Sequence, residues 1–283
     1  MTARVAELRY YPVKGCAGVS LHCAELGERG IHHDREFMVV SAADGAFVSQ
    51  RRKPQLAAVT ADFDARSGEL SLNHPDAGPA RFTVGPDGPR HPASLFDTWF
   101  GEGVDTGEAP AQWFSTVLGG DYRLLRITPE HDRDGWGATP GKVGFADAHA
   151  LLITSSASLR ELNRRIEQAG GVGIPMDRFR PNLVIAGWQE PHTEDDIAAF
   201  GIGSTELAYA VRCIRCAVPT VDQRTGRRAG PEPTRTLARY RREPQLGGGV
   251  SFGLKAAVVR SGAITVGDEI RVLRRGEPQL ALS

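Results

Sequence analysis

The sequence predicts a mainly β protein with a few helices, on three observations. It holds 33 glycines and 18 prolines in 283 residues, well above their usual combined share of about 12%, and such punctuation favours short strands and turns. Short apolar runs bounded by turn residues recur along the chain. Only two segments read as helices.

Residues 5–11 mix apolar and polar side chains ahead of Pro12, and 36–40 form a short apolar strand. Asp44-Gly45 supplies a hairpin turn into 46–48. Residues 57–63 and 68–72 predict the next hairpin, with 64–67 as its turn, while 73–92, rich in Pro, Gly and Asp, reads as exposed loops. The first helix is predicted at 110–118, with Pro110 near its start and Gly119-Gly120 as its stop. The clearest helix spans 156–168. Ser156 or Ser158 caps it, Leu159, Leu162 and Ile166 form one apolar stripe, and Gly170-Gly171 end it. Residues 182–186, 207–212, 256–260 and 270–273 read as further strands. The pattern breaks at 132–141, which places the best domain boundary within 120–145.

Composition narrows the classes. Apolar residues make 41% and charged residues 24% of the chain, which excludes disorder and fibrous repeats. The 34 basic and 34 acidic side chains balance, so no global field steers nucleic acid or membrane. No apolar run approaches the roughly 18 residues of a spanning helix, and the first ten residues lack a signal-peptide core. A cytoplasmic location is expected. Four cysteines (Cys16, Cys23, Cys213, Cys216) are too few for a disulfide scaffold and are expected as thiols.

The most informative segment is 211–226, where Cys213 and Cys216 are spaced Cys-x-x-Cys with Arg212 and Arg215 between and beside them. A guanidinium near a thiol favours thiolate, which is both the nucleophile and the soft-metal ligand. A zinc site completed by Cys16 and Cys23, a redox dithiol, a single Cys ligand to a soft metal, and two ordinary semi-buried cysteines all remain open on these residues. Lys14 follows Pro12 in a Gly-containing loop and reads either as an anion contact or as a solvated surface lysine. His32 and His33 point to opposite faces of an extended segment and cannot share one ion. Arg35, entering a buried strand, requires an anionic partner. Arg180 and Asn182 at the mouth of another strand either bind a polar ligand or pair with Asp177. The arginine-rich run 224–242 reads as a solvated face, not a nucleic-acid site.

Taken together and in order, several motifs resemble one family. They are Tyr11-Pro-Val-Lys-x-Cys16, Asp34-Arg35, Phe145-Ala-Asp-Ala148, Phe179-Arg-Pro-Asn182, Cys213-x-Arg-Cys216 with Thr220-Val-Asp222, and Gly262-x-Ile-x-Val-Gly-Asp268. The chain resembles MOSC-domain proteins with an N-terminal β-barrel partner, a family that includes the amidoxime-reducing component of mitochondria and bacterial counterparts. The resemblance implies a β-barrel MOSC core plus an N-terminal β-rich domain, divided as 1–125 and 126–283. It implies a molybdenum cofactor (Mo-molybdopterin, a pyranopterin dithiolene with a phosphate), with Cys216 as metal ligand and catalytic centre. Lys14, Arg35 and Arg180 match the family's basic cofactor contacts, and Gly15, Asp147, His149, Asn182 and Arg215 match further contacts. Asp222 is a second catalytic candidate, placed to orient or protonate a substrate, with an Asx turn near Arg224 as the equal alternative. Gly15, Pro219 and His149 depart from the family pattern, which bears on substrate preference and cofactor geometry.

The reaction implied is reduction of N-hydroxylated small molecules: amidoximes, hydroxylamines and N-hydroxylated bases. Four cysteines cannot supply both a molybdenum ligand and a Cys₄ cluster, so electrons are expected from a separate ferredoxin, flavoprotein or cytochrome. A molybdenum-cofactor carrier or sulfur-transfer protein is the alternative, although this chain has no room for a desulfurase domain. A small-molecule binder with a structural Cys pair is a third.

Overall fold

A computed structural model describes residues 2–96 and 98–276; residue 1 and residues 277–283, the outer ends of the two expected domains, lie outside the described residues. Strand accounts for 43% of the chain and helix for 17%, so the mainly β expectation holds.

The larger sheet is built on alternation and apolar runs. Its order is Ile270–Arg275, Ile197–Ile202, Thr205–Arg215, Gly249–Arg260, Leu151–Ser155, Leu183–Ala186, Arg4–Tyr10 and Val19–Leu21, with Arg242–Glu243 added beside Gly249–Arg260. The start of Arg4–Tyr10, next to one end of this path, also meets the start of Ile270–Arg275 at the other end. Val5 N–H donates to the Asp268 carbonyl at 2.9 Å and Ile270 N–H to the Ala3 carbonyl at 2.8 Å, so the sheet curls closed and leaves few free edges. Its interior holds Leu8, Ile153, Ile185, Phe200, Leu207, Tyr209 and Leu254, all buried.

A second, five-stranded sheet runs Arg90–Leu95, Trp99–Asp105, Tyr122–Arg126, Phe37–Ser41 and Val13–Lys14. A three-stranded meander of Thr60–Asp64, Glu69–His74 and Gly78–Thr83 packs with it around Phe37, Phe63, Leu70 and Phe114. Two expectations change here. Residues 73–92 are not all loop, because Gly78–Thr83 pairs along Glu69–His74 and Arg90–Leu95 along Trp99–Asp105. Gly78–Thr83 is held by backbone bonds with no fully buried side chain, and the buried residues of Arg90–Leu95, Ala93 and Leu95, lie past the 73–92 segment, so that segment's composition is that of a loop. The strand expected to begin at 57 starts at Thr60, since Pro54–Ala58 forms a 3₁₀ turn.

The division at 125/126 separates sequence, not space. Arg4–Tyr10 and Val19–Leu21 pair within the large sheet, and Cys23–Gly27 pairs with Gly262–Thr265. Chain from the first 31 residues therefore completes the C-terminal barrel, while Val13–Lys14 alone crosses into the other sheet. Helix α1 (Glu108–Leu118) covers the N-terminal sheet and ends at Gly119 in the left-handed region. Helix α2 (Ser156–Gln168) is capped by Ser155, one residue before Ser156 and three before Ser158, the two expected caps; its hydroxyl accepts from Ser158 N–H.

Gly253 is required where the two central strands cross. Its φ is +74°, and an added Cβ would lie 2.5 Å from the Ile153 carbonyl oxygen. Gly253→Ala is expected to cost about 3 kcal/mol and to lower the melting temperature by several degrees. An unchanged melting curve would mean that the strands can part there freely.

Candidate functional site

The site grows from one aromatic ring. Tyr11 follows the first strand; its N–H donates to Asp34 Oδ1 at 2.8 Å and its hydroxyl to the Pro181 carbonyl at 3.0 Å. The guanidinium groups of Arg35 and Arg180 lie 4.1 and 4.4 Å from its ring centre, within cation–π range. Both arginines hold left-handed backbone, φ 49° and 58°, a conformation that costs about 1 kcal/mol or more for a residue with a Cβ. The surrounding bonds over-determine it: Arg35 N–H donates to the Tyr11 carbonyl at 2.7 Å and Arg180 N–H to the Asp177 carbonyl at 3.0 Å.

These arms border a cavity of about 560 Å³ between the two sheets. Lys14, Gly15, Arg35, Asp147, His149, Arg180, Asn182, Arg215 and Cys216 all line it; Asp222 does not. Asp222 Oδ1 accepts from Arg224 N–H, Thr225 N–H and the Thr225 hydroxyl at 2.9–3.1 Å. The catalytic expectation for Asp222 thus gives way to its alternative, an Asx turn.

Lys14 is not a surface lysine. It is 6% exposed, donates to the Phe145 carbonyl at 2.7 Å and pairs with the Asp147 carboxylate. Burial pushes its pKa down to about 8, with Asp147 pulling the other way. Asp147 opens onto the water of the cavity; burial among protein atoms opposes its ionisation, but the ammonium groups of Lys14 and Lys255 hold its carboxyl well below the usual range.

Three expected contacts are already engaged. Asn182 Oδ1 accepts from Arg35 Nη1 at 2.9 Å and from Leu152 N–H at 3.1 Å, while its Nδ2 donates to the Arg9 carbonyl at 3.1 Å. It therefore aims Arg35, with both acceptor positions of Oδ1 and one Nδ2 donor already used. His149 Nδ1 accepts from Ala150 N–H and Nε2 donates to the Thr139 carbonyl, both at 3.1 Å; burial favours this neutral form, so the ring is wall. Arg215 faces Cys213, not Cys216: Nη1 donates to Cys213 Sγ and Nη2 to the Phe179 carbonyl, each at 2.9 Å.

The two thiols differ by one turn of chain. Cys213 is buried in strand Thr205–Arg215, whereas Cys216 lies past its end, exposed, just ahead of the 3₁₀ turn Val218–Thr220. Val218 N–H points at Cys216 Sγ at 3.5 Å. A zinc quartet does not form: among the described residues no group of three or more His, Cys, Asp or Glu could hold a metal, and burial pushes the Cys16 thiol up to about 12.

Other groups at the site escaped the sequence reading. Gln50 Nε2 donates to the Gly15 carbonyl and pairs amide to amide with Gln223, whose Oε1 also accepts from Arg180 Nη1 at 3.1 Å. A lone glutamine carries no pattern that would flag it. Lys255 faces the cavity and makes no hydrogen bond or ion pair among the described residues; burial pushes its pKa down. Its signal was present as one lysine inside the apolar run 252–258.

The lining carries seven cationic side chains and one carboxylate. Arg215 Nε is buried without a partner, an orphaned donor in the wall. One accessible soft donor, Cys216, and forked cations suited to phosphate and planar polar rings are what a phosphate-bearing dithiolene cofactor requires. The residues fit that group.

Comparison with known proteins agrees with the motifs. Residues 2–121 match the MOSC N-terminal beta barrel domain and residues 140–271 the MOSC domain. The chain is 31% identical over 290 residues to human mitochondrial amidoxime-reducing component 1, spanning 95% of this chain and 82% of that one. It is 30% identical over 289 residues to bovine mitochondrial amidoxime reducing component 2, with 94% and 82% covered. A solved structure, the YuaD protein of Bacillus subtilis, is similar at 14% identity and a TM-score of 0.41, over 95% of this chain and 94% of that one.

Lys14 makes a pH-dependent prediction. The unfolded chain keeps a proton at this lysine up to its ordinary value of 10.5, but the folded chain releases it near 8. The cost of burying the charge is thus fully present below pH 8 and relieved as pH rises towards 10.5. Wild type should gain about 2 kcal/mol relative to Lys14→Met between pH 8 and pH 10, measured by urea unfolding. A constant difference between the two proteins would mean that the folded-state pKa is not depressed.

Proposed function

The chain belongs to the family in which a MOSC N-terminal beta barrel domain is followed by a MOSC domain, and from that premise we propose that it is a molybdenum-cofactor-dependent reductase of N-hydroxylated compounds. Amidoximes, hydroxylamines and N-hydroxylated bases are the substrate class, and a separate protein supplies the electrons. The observation that carries this reading is the single cavity joining Cys216 to Lys14, Arg35 and Arg180, cations from both halves of the chain around one accessible sulfur.

Cys216 would ligate the metal through Sγ, with Val218 N–H directed at the same sulfur. Arg35 and Arg180, fixed against Tyr11, and Lys14 would hold the phosphate and polar ring edges. Gly15, at φ +88°, allows the backbone to approach closely where a side chain would be strained. When bound, the molybdenum cofactor supplies the two-electron redox chemistry. Conversion of an N–OH group to N–H with release of water also consumes two protons. Lys255 Nζ faces the cavity, with Asp147 as the nearby carboxylate, and would position the N–OH oxygen. The apolar wall of Leu152, Phe179 and Val211 limits water around the reacting group.

Cys216→Ser is expected to lose bound molybdenum, measured by elemental analysis, and to lower benzamidoxime reduction with an artificial donor by about 100-fold or more. Cys213→Ser should retain both within about threefold, because a serine hydroxyl can take the Arg215 hydrogen bond. A fully active Cys216→Ser protein refutes the ligand assignment. Wild-type protein that holds molybdenum yet reduces no N-hydroxylated compound would instead be a cofactor carrier.

A further inference from the structure

The open side of the cavity carries features that the cofactor site does not use. Phe96, Trp136 and Ile214 line the cavity and are 41%, 58% and 37% exposed. Arg51 lines it as well, its guanidinium 4.6 Å from the Phe96 ring centre. Arg228 Nη2 donates to the Arg51 carbonyl at 2.7 Å, so the small hairpin of Val221–Asp222 and Arg227–Arg228 stands beside this rim. Gly226 at its tip is held close against Pro54 and Gln55. Arg52, Arg224, Arg227 and Arg228 are exposed, and neither they nor Arg51 form an ion pair among the described residues.

Exposed arginines elsewhere are of both kinds: Arg66, Arg160, Arg260 and Arg271 form no ion pair among the described residues but do not line the cavity, and others are paired. Arg123 pairs with Asp105 and Glu108, Arg164 and Arg165 with Glu161, and Arg235 with Glu232. The chain as a whole is neutral, so this positive field is local. Arginine and large aromatic side chains together, with no lysine among them, are the composition of a protein-docking surface. The exposed thiol of Cys216 opens on the same cavity.

We propose that Arg224, Arg227, Arg228, Arg51 and Arg52, with Phe96 and Trp136, form the docking surface for an acidic one-electron carrier protein seated over the cavity mouth. The proposal rests on the reductase reading above and names the kind of partner it needs. Unpaired guanidinium groups steer and orient an acidic face, while the aromatic rim supplies the desolvated contact. A carrier seated here brings its redox centre to the opening where Cys216 lies. Two reduced carriers in turn each give one electron. With two protons from solvent, these convert the N–OH group to N–H and one water, and both carriers leave oxidised.

The test uses cofactor-loaded full-length protein, benzamidoxime, and two donors: reduced methyl viologen and a reduced acidic [2Fe–2S] ferredoxin. Arg224→Glu/Arg227→Glu leaves the cavity lining untouched. It is expected to lower kcat/KM for the ferredoxin by about tenfold or more and to leave the viologen-driven rate unchanged. Salt should lower the ferredoxin rate of wild type towards that of the variant. Equal ferredoxin kinetics in the two proteins, or viologen turnover with none from the ferredoxin at low salt, overturns the docking surface. Calorimetric titration of oxidised ferredoxin separates the two readings. If viologen drives no turnover, the reductase reading falls, and salt-sensitive ferredoxin binding that the variant loses still supports the surface, while binding equal in both proteins removes it. Binding of a single-stranded oligonucleotide in place of ferredoxin would make the face a nucleic-acid site and also overturn the proposal.

Discussion

The Tyr11 ring is where the two halves of the site are held to one another. Arg35 reaches it from the turn just before strand Phe37–Ser41, Arg180 from the segment that leads into the barrel, and the Tyr11 hydroxyl fixes Pro181 beside them. Two like charges brought this close would repel in an empty cavity. A shared π face, the Asp34 carboxylate on Arg35 and the Gln223 carbonyl on Arg180 offset that repulsion. Both arginines are also in left-handed backbone, so the ring stabilises a conformation that neither residue would adopt alone. The cationic side of the cavity thus depends on one aromatic residue that itself contributes no charge.

Cation placement here comes with paired neutralisation rather than bulk charge. Lys14 is buried deeply enough that desolvation favours its neutral form, and the Asp147 carboxylate is the counterweight that keeps the ammonium available near neutral pH. Lys255 feels the same carboxylate through space but makes no ion pair with it, so its side chain remains available to an anion in the cavity. Gln50 and Gln223 do a different job. Their reciprocal amide bonds tie the loop after Lys14 to the segment after Cys216 without adding charge to a site that already has an excess of it.

Much of this was legible in the chain, and the parts that were not have physical reasons. Helix α2 announced itself through its Leu162 and Ile166 stripe and terminal glycines, because a helix on a core must bury one face every turn. Edge strands such as Gly78–Thr83 carry no such obligation, since backbone bonds hold them and their side chains stay largely in water. The threading of the first 31 residues into the C-terminal barrel was invisible for a similar reason: pairing between distant strands leaves no local pattern. At the site, residue types were legible and their partners were not. Asn182, His149 and Arg215 were expected to face a ligand, yet each spends donors or acceptors on neighbouring protein groups, and only geometry reveals that.

The two thiols show how little sequence separation is needed to divide structural from chemical roles. Cys213 is still in the strand, where the alternation of the sheet turns it inward and Arg215 Nη1 caps its sulfur. Three residues on, the strand has ended, and the 3₁₀ turn that begins at Val218 directs that residue's backbone N–H back towards Cys216. A guanidinium on the inner sulfur and a backbone dipole on the outer one lead to different outcomes. The first charge is shared with the Phe179 carbonyl and locked into the wall, so it fixes the strand end. The second leaves the outer sulfur accessible with its lone pairs facing open space, which a metal ligand needs and a packing residue does not.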